Sequence, residues 1–123
     1  MQYRIVTPFR KPPLTTNEQR RAHYYTVAKA KKEVADVVSW RAREQNIKHL
    51  GPSVITVIWY APDKRKRDND ALAFYLKAAK DALCPQVWPD DSSEWVVEDR
   101  MAVRYDKDNP RIEILIEEVT DGQ

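Results

Sequence analysis

Glycine is nearly missing from this chain: Gly51 and Gly122 are the only two in 123 residues. Turns must therefore be made by proline and polar residues. Cysteine is scarcer still. Cys84 stands alone, so no internal disulfide can form, which suits a reducing compartment. One cysteine and two distant histidines, His23 and His49, cannot build a zinc site. No stretch approaches the roughly 18 apolar residues of a membrane span. The opening MQYRIVTPFRK carries charges where a signal peptide needs an apolar core, so a cytoplasmic location is expected. Also absent are an internal repeat, a low-complexity tract and a linker, so residues 1–123 are expected to form a single domain.

What is present is 42% hydrophobic and 33% charged, enough for one core. The net charge of +2, from 21 basic and 19 acidic residues, is too mild to announce nucleic-acid binding. Its distribution says more. Residues 1–48 are rich in Arg and Lys, Lys64–Arg67 are purely basic, and acids gather from 90 onward. Clustered bases on a near-neutral protein point to a local polyanion footprint, although for most of them a solvated surface is the plain alternative.

YRIVT (3–7) reads as a short first strand ended by Pro8, with Pro12 and Pro13 holding the next segment extended. A helix is predicted over 17–46, capped by Thr16 or Asn17. Its stripe is Tyr24, Val27, Ala30, Val34, Val37, Val38 and Ala42. SVITVIWYA (53–61) is β-branched and aromatic, a buried central strand. A second helix is predicted over 70–83, on Leu72, Tyr75, Leu76, Ala79, Ala82 and Leu83, and Pro85 stops it. Residues 94–106 and 110–119 alternate around the polar turn DKDNP, which predicts an antiparallel hairpin. Trp40, Trp59, Trp88 and Trp95 are expected in the core. The fold class is α+β, ordered β-α-β-α-β-β: a small mixed sheet of about four strands with two helices on one face.

The chemistry concentrates in PDKRKRDNDAL (62–72). Four bases, Lys64, Arg65, Lys66 and Arg67, run into Asp68 and Asp70 at a strand end. Asp70 alone reads as a helix N-cap, but that leaves Asp68 and the bases unexplained. In extended chain, residues two apart point the same way, so both carboxylates can face one hard cation such as Mg²⁺. The loop PDD supplies Asp90 and Asp91 as further acids. Lys77 follows Asp70 by nearly two turns, about 700°, on the same helix face and about 10.5 Å along it. It can lean back toward a phosphate held there. Lys80 lies roughly 80° away and is the poorer candidate. Acids, lysine and basic run together suit phosphodiester cleavage.

PDKRKRDNDALAFYLKAAKDAL followed by VWPDD resembles the signature of RusA-type Holliday junction resolvases: P-D, a basic run, D-x-D, a lysine-bearing helix and a W/L-x-D-D loop. NEQRRAHYYTVAKAKK looks like the first helix of phage-borne members. The resemblance implies a catalytic set of Asp68, Asp70, Asp91 and Lys77, with Asp90 as the adjacent acid, metal at the acids, and DNA phosphates on Lys64–Arg67. It implies an Mg²⁺- or Mn²⁺-dependent homodimer nicking opposed strands of a branched, four-way DNA junction, in DNA recombination and repair. Two departures are visible. Ala71 stands where the family often has Asn, removing a local hydrogen bond and no metal ligand. Lys77 lies seven residues after Asp70, where some members have four; here that position is Phe74.

A haloacid-dehalogenase-type D-x-D phosphatase needs an apolar strand directly before its first Asp, and KRKR excludes it. A non-catalytic DNA- or RNA-binding module, its acids only balancing its bases, is the alternative that metal dependence would discriminate.

Overall fold

The computed structural model of the protein describes residues 1–119; the last four residues of the expected 1–123 domain lie outside the described residues. In chain order the elements are β1 (Gln2–Thr7), α1 (Thr16–Arg21), α2 (Tyr24–Glu44), β2 (Ser53–Ala61), a 3₁₀ turn (Asn69–Leu72), α3 (Ala73–Leu83), β3 (Val96–Tyr105) and β4 (Arg111–Glu118). The four strands form one mixed sheet in the order β1-β4-β2-β3. The α+β class is as predicted, with three helices where two were expected.

β2 alternates buried and half-buried along its whole length. It pairs with β4 on one side and β3 on the other, so its carboxyl end lies inside the sheet and not at a margin. The site is built from that end.

The predicted hairpin does not form. β4 inserts between β1 and β2, antiparallel to both, while β3 lies outside β2 and parallel to it. Composition explains the choice. Ile112, Ile114 and Ile116 are fully buried, so β4 gains most from an interior position. β3 carries exposed Glu98, Asp99, Arg100 and Arg104 and takes the edge, where charges discourage further pairing. Residues 106–110 cross the end of β2, and the Asp106 N–H donates to the Ala61 carbonyl at 2.9 Å. A bulge beside Ser53–Val54 shifts the β3 register. Val96 is buried although its neighbours of opposite parity, Met101 and Val103, face inward later in the strand.

The predicted 17–46 helix is broken at Ala22 and His23, both in extended backbone. Thr15, not Thr16 or Asn17, caps α1 in a reciprocal capping box with Glu18. The His23 ring then caps α2, accepting from the Tyr25 N–H at 3.2 Å. With caps available for two starts, one continuous helix loses its advantage. Of the stripe, Ala30, Val34, Val38 and Ala42 are buried, while Tyr24 is exposed. Trp40 is 59% exposed on α2, contrary to its expected core position; Trp59 and Trp88 are buried. α2 packs on α3 and on β1.

Candidate active site

β2 ends at Ala61, and Asp63 organises the turn that follows. Its carboxylate accepts from the Arg65 N–H (2.9 Å) and pairs with the guanidinium groups of Arg67 (2.9 Å) and Arg65 (3.8 Å). The Arg65 N–H and then the Arg67 guanidinium hold this carboxyl below its ordinary range. Arg67 also donates to the carbonyls of Asp63 and Arg65 and lies over the Trp59 ring, 4.6 Å from its centroid. Only 15% of its side chain is exposed. Lys64 sits above the Tyr105 ring. The basic run is thus unequal: Arg67 is folded into the protein, Lys64 and Arg65 are exposed with a partner each, and Lys66 is exposed.

Asp68, in extended backbone, occupies the cap position of the 3₁₀ turn, but its side chain makes no capping bond. Asp70, predicted as a helix N-cap, lies inside that turn instead. The carbonyl of Asp70 accepts from the Thr16 hydroxyl at 2.9 Å, and the Thr16 hydroxyl oxygen in turn accepts from the Phe74 N–H at 3.2 Å. Thr16 therefore ties α1 to the start of α3. The carboxylates of Asp68 and Asp70 are exposed, and among the described residues neither meets a hydrogen-bond donor or a cation, although four bases precede them.

The other acids behave differently. The Lys77 ammonium is bound by Asp91 and, at 3.0 Å, by Asp81 one turn further along α3. Lys31 of α2 reaches Asp81 at 3.5 Å. Hydrogen bonding, first to Asp91 and then to Asp81, pushes the Lys77 ammonium above its ordinary value, and the Lys77 bond holds Asp91 below its own. Asp90 turns back on its loop, accepting from the Ser92 N–H at 2.9 Å, and hydrogen bonding from the Ser92 side chain, then from that N–H, holds it low. Lys80 is committed to Asp99 of β3 at 2.8 Å. The nearby Cys84 thiol is pushed up to about 11, by burial and then by Asp91 and Asp81, which favours the neutral thiol over the thiolate.

The loop bearing Asp91 is seated by Trp88, which is fully buried and donates its indole N–H to Ser53 Oγ at 3.2 Å. Burial of a Trp is worth about 3–5 kcal/mol against Ala. Just before Trp88, the Val87 N–H donates to the Leu83 carbonyl and the Val87 carbonyl accepts from the Leu50 N–H, which fixes the backbone on that side.

The structure thus brings Lys77 to Asp91, a pairing that the helix phase had not foreseen, and adds Asp81 of the same helix. Its signal was in the sequence: Asp81 follows Lys77 at i,i+4. Among the described residues, no three or more His, Cys, Asp or Glu side chains gather where a metal could sit, so Asp68 and Asp70 do not join Asp90 and Asp91 in one such group.

Next to the basic run lies a cleft of about 520 Å³ between the β1–α1 connection and the turn after β2. Arg10 and Lys11 form one wall, Asp63 and Arg65 the other, with Trp59 and Arg67 between them. Nothing in the local sequence signals this pairing, because about fifty residues separate the walls.

These features define an α+β protein with a face of dense, unequally neutralised charge at the end of its central strand. A family model, endodeoxyribonuclease RusA, matches residues 6–117, from β1 into β4, and the chain belongs to that family. Membership implies endodeoxyribonuclease activity on Holliday junctions. No curated protein matches the chain. No helix among the described residues is long and apolar enough to cross a membrane.

Proposed function

We propose that this protein is a metal-dependent, structure-specific endonuclease that resolves four-way DNA junctions by paired nicking, and that residues 1–123 act as one nuclease domain. The observation that carries the reading is the exposed Asp68–Asp70 pair, unpartnered among the described residues and directly behind a basic run, in a chain of the RusA family. Mg²⁺ takes one or two carboxylates and completes its shell with water and phosphate oxygens, so the pair suits it. Asp68 and Asp70 would hold the ion, with Asp91 as third acid and Asp90 adjacent. An Mg²⁺ or Mn²⁺ ion held there would supply polarisation of the phosphate and activation of a water at neutral pH. Lys77, kept protonated by Asp91 and Asp81, offers fixed positive charge to the phosphate as it becomes more negative. Lys64, Arg65 and Lys66 hold neighbouring phosphates without reading sequence, and Arg67 shapes the turn that presents them. A homodimer matches a substrate that needs two symmetric cuts.

A second reading, a DNA- or RNA-binding module without catalysis, is favoured by one observation: Asp91 is bound to Lys77 and forms no metal group with Asp68 and Asp70. One experiment separates the two. Labelled four-way junction and linear duplex are incubated with the protein, with and without Mg²⁺. Paired nicks confined to the junction and dependent on metal are expected, and Asp70→Asn should bind the junction without cutting it. Cleavage by Asp70→Asn at the wild-type rate would sink the site assignment; binding without cleavage by the wild type would establish the second reading.

A further inference from the structure

We infer that the cleft between Arg10–Lys11 and Arg65 is a seat for the phosphodiester backbone of a DNA strand, and that Arg10 and Lys11 are its principal phosphate ligands. The inference rests on the nuclease reading above and extends the DNA interface to a segment that reading does not use.

The cleft is lined by four cations, Arg10, Lys11, Arg65 and Arg67, against two acids, Asp63 and Glu18. Both acids are already engaged. Asp63 pairs with Arg65 and Arg67, and Glu18 accepts from the Thr15 N–H in the α1 capping box at 2.9 Å. Arg10 and Lys11 are exposed, and neither side chain meets an acid among the described residues. The positive charge left for a ligand therefore comes mainly from the N-terminal wall. Trp59 fixes the geometry: its indole N–H donates to the Arg10 carbonyl at 2.8 Å while Arg67 covers its ring. One buried side chain so anchors both walls.

The same arrangement selects backbone over base. A base needs an exposed aromatic face to stack on, and Trp59 is 5% exposed with Arg67 over it. Among the described residues, no other aromatic lines the cleft. Cations without a stacking platform bind phosphate and are indifferent to sequence.

The test is the double variant R10A/K11A, with equilibrium binding of a fluorescent four-way junction measured without divalent ions between 50 and 200 mM salt. Each cation withdrawn from a phosphate lowers the slope of log affinity against log salt by about 0.9. A drop of about 1.8 is expected, so the fall in affinity over that salt range shrinks by roughly tenfold. The weakening should be equal on junctions of unrelated sequence, with KM raised and kcat unchanged in Mg²⁺. R10K/K11R should restore the slope, which separates removal of charge from a failure to fold. An unchanged slope, a sequence-dependent weakening or a failure of R10K/K11R to rescue would overturn the inference and leave the nuclease reading standing. A wild-type protein that binds no junction at 50 mM salt would overturn both.

Discussion

Two pairs of carboxylates meet around α3, one ahead of its start and one formed by its own Asp81 and the following loop, and they are held in opposite ways. Asp68 and Asp70 follow four bases in the chain and touch none of them, whereas Asp81 and Asp91, far from that run in sequence, close on one lysine. Proximity in sequence did not decide the pairing. The acid that precedes the bases, Asp63, folds back to take Arg65 and Arg67, because the turn after β2 points those side chains toward it and toward Trp59. The acids that follow are left open to solvent. The turn thus leaves Asp68 and Asp70 without lysine or arginine partners among the described residues.

The largest effect expected from breaking the comparison is on the open pair. Asp68→Asn or Asp70→Asn should lower junction cleavage by at least about 10²-fold, the scale for removing a directly engaged electrostatic group. Junction affinity should be kept or slightly improved, since a negative charge leaves the neighbourhood of a polyanion. Single-turnover cleavage and metal-free binding assays read the two quantities separately.

The clamped pair allows a sharper contrast. Asp81 and Asp91 touch the same ammonium, so if both served only to orient Lys77, Asp81→Asn and Asp91→Asn would cost about the same. Asp91 as third acid predicts otherwise: a loss of about 10²-fold for Asp91→Asn and only a few-fold for Asp81→Asn, a pair at the helix surface. Equal losses in the same cleavage assay would reduce Asp91 to a support for Lys77.

A third kind of carboxylate holds the fold. Glu113 of β4 is 2% exposed and sits between Arg4 and Arg111, which bind it at 2.5–2.8 Å. The bond from Arg4, then that from Arg111, holds this carboxyl below its ordinary 4.5. A lowered folded-state value means stability that is complete above the ordinary value and is lost as pH falls through the lowered one. Arg4 is more than half exposed, which weakens its share through screening. Glu113→Gln should therefore cost about 2 kcal/mol in denaturant unfolding at neutral pH, with the gap to wild type closing below pH 4.5.

What the sequence disclosed about these regions follows the range of the forces involved. β2 was legible to the residue, because β-branched and aromatic side chains between Ser53 and Ala61 state their own burial. The phase of Lys77 was legible because a helix fixes it. The position of β4 was not: Ile112, Ile114 and Ile116 take the interior in competition with β3, and that contest depends on pairing with β1 and β2, strands distant in sequence. The break at Ala22–His23 turned on a histidine cap, a weaker and rarer signal than Ser or Asp. Asp81 stands at i,i+4 from Lys77, a spacing visible in the sequence. Arg10 and Lys11 could not be read at all, because their meaning comes from a cleft whose other wall lies beyond α2 and β2.

The smallest expected effects divide the basic run itself. If the four bases were equivalent phosphate ligands, removing any one would lower the salt slope of junction binding by about 0.9. Their surroundings say they are not. Truncating Arg67 removes an ion pair, two hydrogen bonds to carbonyls and the stacking of its guanidinium on Trp59. Arg67→Ala should thus destabilise the protein by about 1–2 kcal/mol. Lys66, exposed and with no acid beside it among the described residues, should show the reverse: an unfolding midpoint unchanged on Lys66→Ala and a salt slope lower by about 0.9. Denaturant unfolding and salt-dependent binding on the same two variants give the four values needed. Matching slopes with matching midpoints would mean that Arg67 leaves Asp63 to meet DNA, and the turn would then be a surface that reorganises on binding, not a fixed mount for Asp68 and Asp70.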